Sequence, residues 1–136
     1  MASVEKVQEL VQHSLQMRER AYCPYSKFRV GAALLAKSGK IYTGCNVENA
    51  SYGGCICAER TAFVKAVSEG DREFTDLAVA SDRNDFCSPC GICRQFMAEF
   101  GLDLRVHQVS TTGQFKTFTM NELLPGAFGP GDLEKH

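Results

Sequence analysis

The sequence predicts an α/β fold in which one mixed β-sheet is packed between helices. Stretches with the three- and four-residue apolar spacing of helices alternate along the chain with short apolar, β-tolerant runs. An early pair of such runs, joined by Ser38-Gly39, reads as an antiparallel hairpin, whereas the later strand–helix–strand order favours parallel neighbours, so both orientations must occur in one sheet. With 136 residues, 44% of them hydrophobic, the chain is expected to form a single domain over residues 1–136 with its own core.

Each element has a local reason. Over residues 3–20, Val4, Val7, Val11 and Leu15 recur at helical spacing, Leu10 and Met17 widen the stripe, and Ser3 is the candidate N-cap. His13 in this helix reads as a surface residue. Pro24 ends the helical pattern, because proline disfavours the helical conformation in the residue before it. Residues 28–36 and 41–47 are the hairpin strands. Asn46-Val47-Glu48-Asn49 stands where the hairpin runs into a loop, a place that hosts either binding residues or an ordinary solvated turn.

After Gly53-Gly54, residues 57–69 read as a helix ended by Gly70, with Ala58, Ala62 and Ala66 as a small-residue row that permits close approach to another element. Residues 77–80 are a short strand. Ser88-Pro89 opens the next helix, serine as cap and proline in the first turn, and Gly101 ends it. Residues 104–109 and 115–119, separated by Thr112-Gly113, are the last strands; a short helix over 120–124 and a loop over 125–131 complete the pattern.

A net charge of −1, from 15 basic and 16 acidic residues, gives no electrostatic reason to expect nucleic acid or an anionic membrane as partner. The first residues form a polar, amphipathic pattern, and no stretch approaches the roughly 18 apolar residues of a membrane span, so a cytoplasmic protein is expected. Seven cysteines, an odd number without a secretory signal, argue for metal binding or catalysis over a disulfide framework.

Cys57, Cys90 and Cys93, with Glu59, carry the chemistry. Cys90 and Cys93, three apart on a helix, project from one face as a two-ligand clamp requires, and Cys57 opens the other helix. Where two helix N-termini meet, the macrodipoles favour thiolates, the form that zinc binds. Three thiolates leave one coordination position open, and Glu59, too near Cys57 in the chain to act as a ligand beside it, can take a proton there and deliver it to a substrate nitrogen. Arg60 can donate hydrogen bonds to the sulfurs and draw off part of their negative charge. The alternative is a closed four-thiolate site, with Cys55 or Cys87 as fourth ligand, in a zinc-stabilised interaction module without catalysis. Cys23 and Cys45 read as plain buried or semi-buried thiols.

Cys57-Ala58-Glu59 with Pro89-Cys90-Gly91-Ile92-Cys93 resembles the zinc deaminase signature, with cysteine in place of its first histidine. The three-cysteine form is similar to the small cytidine deaminases that act on free nucleosides. The likeness extends to Tyr22-Cys23-Pro24-Tyr25-Ser26-Lys27-Phe28, Val30-Gly31-Ala32-Ala33-Leu34, Gly44-Cys45-Asn46-Val47-Glu48-Asn49-Ala50 and Glu122-Leu123-Leu124-Pro125. It implies a three-layer α/β/α fold with a mixed five-stranded sheet, one Zn2+ per subunit, and a homotetramer in which neighbouring subunits complete each site. The implied reaction, part of pyrimidine salvage, is hydrolytic deamination of cytidine and deoxycytidine to uridine and deoxyuridine with release of ammonia. By the same resemblance Phe28 packs against the pyrimidine, Asn46 and Glu48 hydrogen-bond the ribose hydroxyl, the Ala58 amide helps hold the base, Tyr52 and the Phe128 region reach a neighbouring subunit's site, and Gln95 supports the metal's surroundings. The runner-up is a deaminase of the same fold acting on a nucleoside-like drug or on cytosines in RNA or DNA; the near-neutral charge counts against a polynucleotide. Gly53-Gly54-Cys55 and Cys87 depart from the family pattern, and Cys87 is an extra thiol near the metal motif.

Overall fold

The computed structural model describes residues 2–134. Helix α1 (Val4–Met17) starts at Ser3, whose hydroxyl accepts from the Lys6 amide, and buries Val7, Leu10, Val11 and Ser14. Val4, in phase with that stripe, is nonetheless 71% exposed, because it overlies an open cavity beside Arg105 and Phe115 instead of packed sheet. A 3-10 turn, Arg18–Arg20, follows.

Strands β1 (Val30–Ala36) and β2 (Ile41–Cys45) form the antiparallel hairpin, turned at Gly39 with φ 96°. β1 begins two residues later than the apolar pattern suggests. Side chains replace the sheet there: Asn46 binds the Phe28 carbonyl and the Val30 amide, and Asp82 accepts from the Arg29 amide. Val47, expected in β2, instead bridges Tyr22 and Ile56.

Helix α2 (Ala58–Ser68) has Cys57 as its N-cap, and Gly70 follows with φ 106°. Strand β3 (Phe74–Ser81) is longer than the apolar run 77–80, since Asp76, which interrupts the pattern, is fully buried against His107 and Arg105. Helix α3 (Gly91–Ala98) starts later than Ser88-Pro89 implies: Cys90 is its N-cap, and the Ser88 hydroxyl accepts from the Arg94 guanidinium. Strands β4 (Arg105–Val109) and β5 (Phe115–Thr119) follow, then α4 (Met120–Leu123), opened by a Thr119–Glu122 capping box. A last short helix, α5 (Pro130–Glu134), occupies part of the stretch expected to be loop.

The sheet order is β2-β1-β3-β4-β5, with β3 and β4 parallel and every other neighbouring pair antiparallel. On one face α1 buries Val7, Leu10 and Val11 against Ala33, Leu35, Ala78, Ala80 and Val109. On the other, Ala58, Ala62, Phe63, Ala66 and Met97 pack on Ala32, Leu34, Leu77, Val79 and Val106. The result is a three-layer α/β/α fold with a mixed five-stranded sheet. Among the described residues no helix is long and apolar enough to cross a membrane.

One close approach fixes the site's position. A Cβ on Gly44 of β2 would lie 2.6 Å from both the Ala58 carbonyl oxygen and the Ala62 amide nitrogen. Glycine opposite the alanine row lets α2 settle backbone to backbone on the hairpin, which sets where Cys57 and Glu59 stand.

Candidate active site

The N-terminal ends of α2 and α3 come together on one side of the sheet. Both are capped by cysteines in extended conformation, Cys57 and Cys90, and neither sulfur makes a capping bond. The sulfurs are thereby free to face each other, 4.0 Å apart. Cys93, one turn into α3 and fully buried, completes a group whose three sulfurs all lie within 4.8 Å of one another.

The charge state of this group suits a divalent thiophilic ion. Cys57 is drawn down to about 5 by a hydrogen bond from Cys93 and by the Arg60 guanidinium, against the opposing effect of burial. Cys93 is pushed up by that same bond and by burial. A cation among these residues would meet three sulfur donors within 4.8 Å of one another, and the residues present fit zinc. Arg60 Nη2 donates to Cys57 Sγ at 3.5 Å, while its buried Nε has no partner among the described residues.

Glu59, in the first turn of α2, is buried to 4% exposure. Burial, reinforced by the Cys57 charge, raises its carboxyl to about 7. It opens with Cys57 and Cys90 onto a cavity of about 530 Å³ whose walls include Phe28, Asn46, Glu48 and Tyr52.

The expected binding residues have defined roles in the fold. Glu48 Oε1 accepts from the Tyr25 and Ser26 amides at 3.1 Å each, and Oε2 accepts from the Ser26 hydroxyl. Asn46 has its amide divided between the Phe28 carbonyl, 2.7 Å, and the Val30 amide, 2.9 Å. Ala58 is fully buried at the start of α2. Tyr52, 73% exposed, stands at the cavity mouth edge-on to Tyr25, their centroids 5.9 Å apart. Phe128 is 56% exposed and lies outside this cavity's walls. The side-chain bond that Gln95 makes is to the Phe128 carbonyl, 2.8 Å, rather than to a cysteine sulfur; it ties α3 to the C-terminal segment.

Neither extra thiol joins the sulfur cluster. Cys55 lines the cavity mouth and its sulfur accepts from the Asn49 amide. Cys87 lines the inner wall, and burial pushes it up to about 12, so it stays a neutral thiol.

Sequence reasoning missed Arg94. Its guanidinium donates to the Pro89 carbonyl at 2.9 Å, the Ser88 hydroxyl at 2.6 Å and the Leu123 carbonyl at 2.7 Å, clamping the segment before Cys90 onto α4. Its position immediately after Cys93 was the available signal.

The chain's likeness to known proteins points the same way. The model of a family described as the cytidine and deoxycytidylate deaminase zinc-binding region matches residues 4–108. The chain is 52% identical over 128 residues to a cytidine deaminase of Sporosarcina psychrophila, covering 93% of this chain and 94% of that one. It is 50% identical over 127 residues to the cytidine deaminase of Halalkalibacterium halodurans, covering 93% and 96%. The crystal structure of cytidine deaminase from Burkholderia pseudomallei matches with a TM-score of 0.86 at 43% identity, over 93% of this chain and 100% of that one.

Proposed function

The chain belongs to the cytidine and deoxycytidylate deaminase family, and from that premise we infer that it is a zinc-dependent hydrolase converting cytidine and deoxycytidine to uridine and deoxyuridine with release of ammonia. The observation that carries this reading is the buried Glu59 carboxyl at the inner end of an open cavity, beside three clustered sulfurs. Cys57, Cys90 and Cys93 would hold the zinc, which when bound would supply Lewis acidity enough to lower the pKa of a water to about 7.

The chain's own residues do the rest. Glu59 takes a proton from the attacking water, places it on N3 of the pyrimidine as the new C4–O bond forms, and moves a proton to the amino nitrogen as the C4–N bond breaks. A carboxyl that titrates near neutrality can both accept and release that proton. Arg60 offsets sulfur charge, which preserves the metal's Lewis acidity. Phe28 offers a flat apolar surface to the base, and the acceptor site left on Glu48 Oε2, with Asn46, meets the ribose hydroxyl. The 136 residues act as one deaminase domain, working in the cytoplasm on free nucleosides.

The protein assembles as a homotetramer on this reading, and the exposed aromatic rings of Tyr52 and Phe128 support contributions to neighbouring sites. Sedimentation velocity checks this; a fully active monomer would exclude it. Uridine formation by zinc-loaded protein tests the reaction, with Glu59→Gln in parallel. Turnover that collapses in the variant while zinc stays bound is expected. A fully metallated wild type without turnover rejects the assignment.

A further inference from the structure

The wall that carries Phe28 is a strained loop with no sheet partner of its own. Lys27 adopts φ 59°, the left-handed region that a non-glycine residue enters at a cost. Side chains hold the backbone on both sides of it. Glu48 takes the Tyr25 and Ser26 amides, the Ser26 hydroxyl accepts from the Phe28 amide at 3.1 Å, and Asn46 takes the Phe28 carbonyl and the Val30 amide. The Lys27 amide donates to the Cys23 carbonyl at 3.0 Å, and the Arg29 amide donates to Asp82 Oδ2 at 3.0 Å.

Asp82 lies just past the end of β3 and is not among the residues lining the cavity. Its carboxylate is itself anchored: Arg29 Nη2 reaches Oδ1 at 2.9 Å and Arg18 Nη1 at 3.4 Å, while Arg18 also donates to the Ser81 carbonyl at 3.1 Å. The end of α1 and the end of β3 thus hold one carboxylate still, and that carboxylate holds the residue after Phe28.

Building on the deaminase reading, we propose that Asp82 is a positioning residue for substrate binding: acting through the Arg29 amide, it fixes the Phe28 ring in the base-binding wall. Glu48 and Asn46 face the cavity and can answer to the substrate as well as to the loop. Asp82 lies outside the cavity lining and holds the loop and Arg18 instead, so its removal should weaken binding while leaving the metal and Glu59 in place.

Steady-state kinetics on zinc-loaded protein test this with Asp82→Ala, Asp82→Asn and Glu19→Ala. Asp82→Ala is expected to raise KM for cytidine about tenfold with kcat within about twofold and zinc content unchanged. Asp82→Asn retains an oxygen for the Arg29 amide and should bring KM to within about threefold of wild type. Glu19→Ala removes only the outer ion pair to Arg29, 3.0 Å, and should leave KM unchanged. An unchanged KM in Asp82→Ala overturns the proposal, as does a joint loss of kcat and zinc, or a Glu19→Ala variant with the same KM rise. Should Asp82→Ala fail to fold, Asp82→Ser takes its place and is read in the same way. Calorimetric cytidine binding in the Glu59→Gln background repeats the comparison without turnover. An inactive wild type whose cytidine binding still depends on Asp82 would therefore reject the deaminase reading alone.

Discussion

Replacing Gly44 with alanine tests how the site is held. The added methyl would sit 2.6 Å from the Ala58 oxygen and 2.6 Å from the Ala62 nitrogen, and 3.0 Å from Thr61 Cβ. Both nearest atoms are backbone, so no side-chain rotation relieves the contact, and α2 must lift from β2 by roughly half an ångström. Overpacking of this kind costs about 1–3 kcal/mol, and at roughly 4 °C per kcal/mol for a chain of this size the melting midpoint should fall by about 4–12 °C. The displaced segment carries Cys57 and Glu59, and since a 1 Å misplacement at a reacting centre can cost about a hundredfold, a tenfold or larger loss of kcat/KM is expected. Thermal unfolding followed by circular dichroism, with cytidine turnover on the same samples, makes the measurement. Gly131→Ala is the control, because a Cβ there meets nothing within 4 Å. A Gly44→Ala protein that melts within about 1 °C of wild type with full turnover would refute the close-approach argument.

Two further outcomes follow from other parts of the structure. Burial alone would raise the Asp76 carboxyl, but its hydrogen bond with His107 and the charge of Arg105 bring it to about 2, below its ordinary 3.8. A depressed carboxylate contributes stability that is present above the unfolded value and lost as pH falls through the folded one, so about 2 kcal/mol should disappear between about pH 4 and pH 2. Urea unfolding of wild type and Asp76→Asn at pH 6 and at pH 3 reads this; a difference between the two proteins that stays constant with pH would contradict it. Arg94→Ala should release the segment before Cys90 and lower zinc affinity about 10–100-fold in chelator competition, and unchanged affinity would show that the clamp does not position the cysteines.

Much of the chemistry was legible because it is written in short spacings. Cys57 and Glu59 lie two apart, Cys90 and Cys93 three apart, and each pair falls at the start of a helix announced by its own composition. The Ala58, Ala62 and Ala66 row likewise announced a close contact, and all three are fully buried. The boundaries that depart from the sequence pattern are those set by partners far along the chain. β1 starts at Val30 rather than residue 28 because Asn46 and Asp82, the latter 53 positions beyond Arg29, supply its missing partners. β3 runs through Asp76 because His107, 31 positions away, answers the carboxylate. Ser88, which looks like a helix cap, is instead held by Arg94, so α3 begins at Gly91.

The sequence by itself therefore determined the layers, the three cysteines whose sulfurs meet and the glutamate beside them, since helix periodicity and residue spacing are local properties of the chain. Only the tertiary structure decided which polar side chains hold the cavity's walls. A carboxylate or guanidinium has no periodicity, and whether Asp82, Arg94 or Gln95 faces water or a backbone group depends on which distant atoms folding brings within about 3 Å of it.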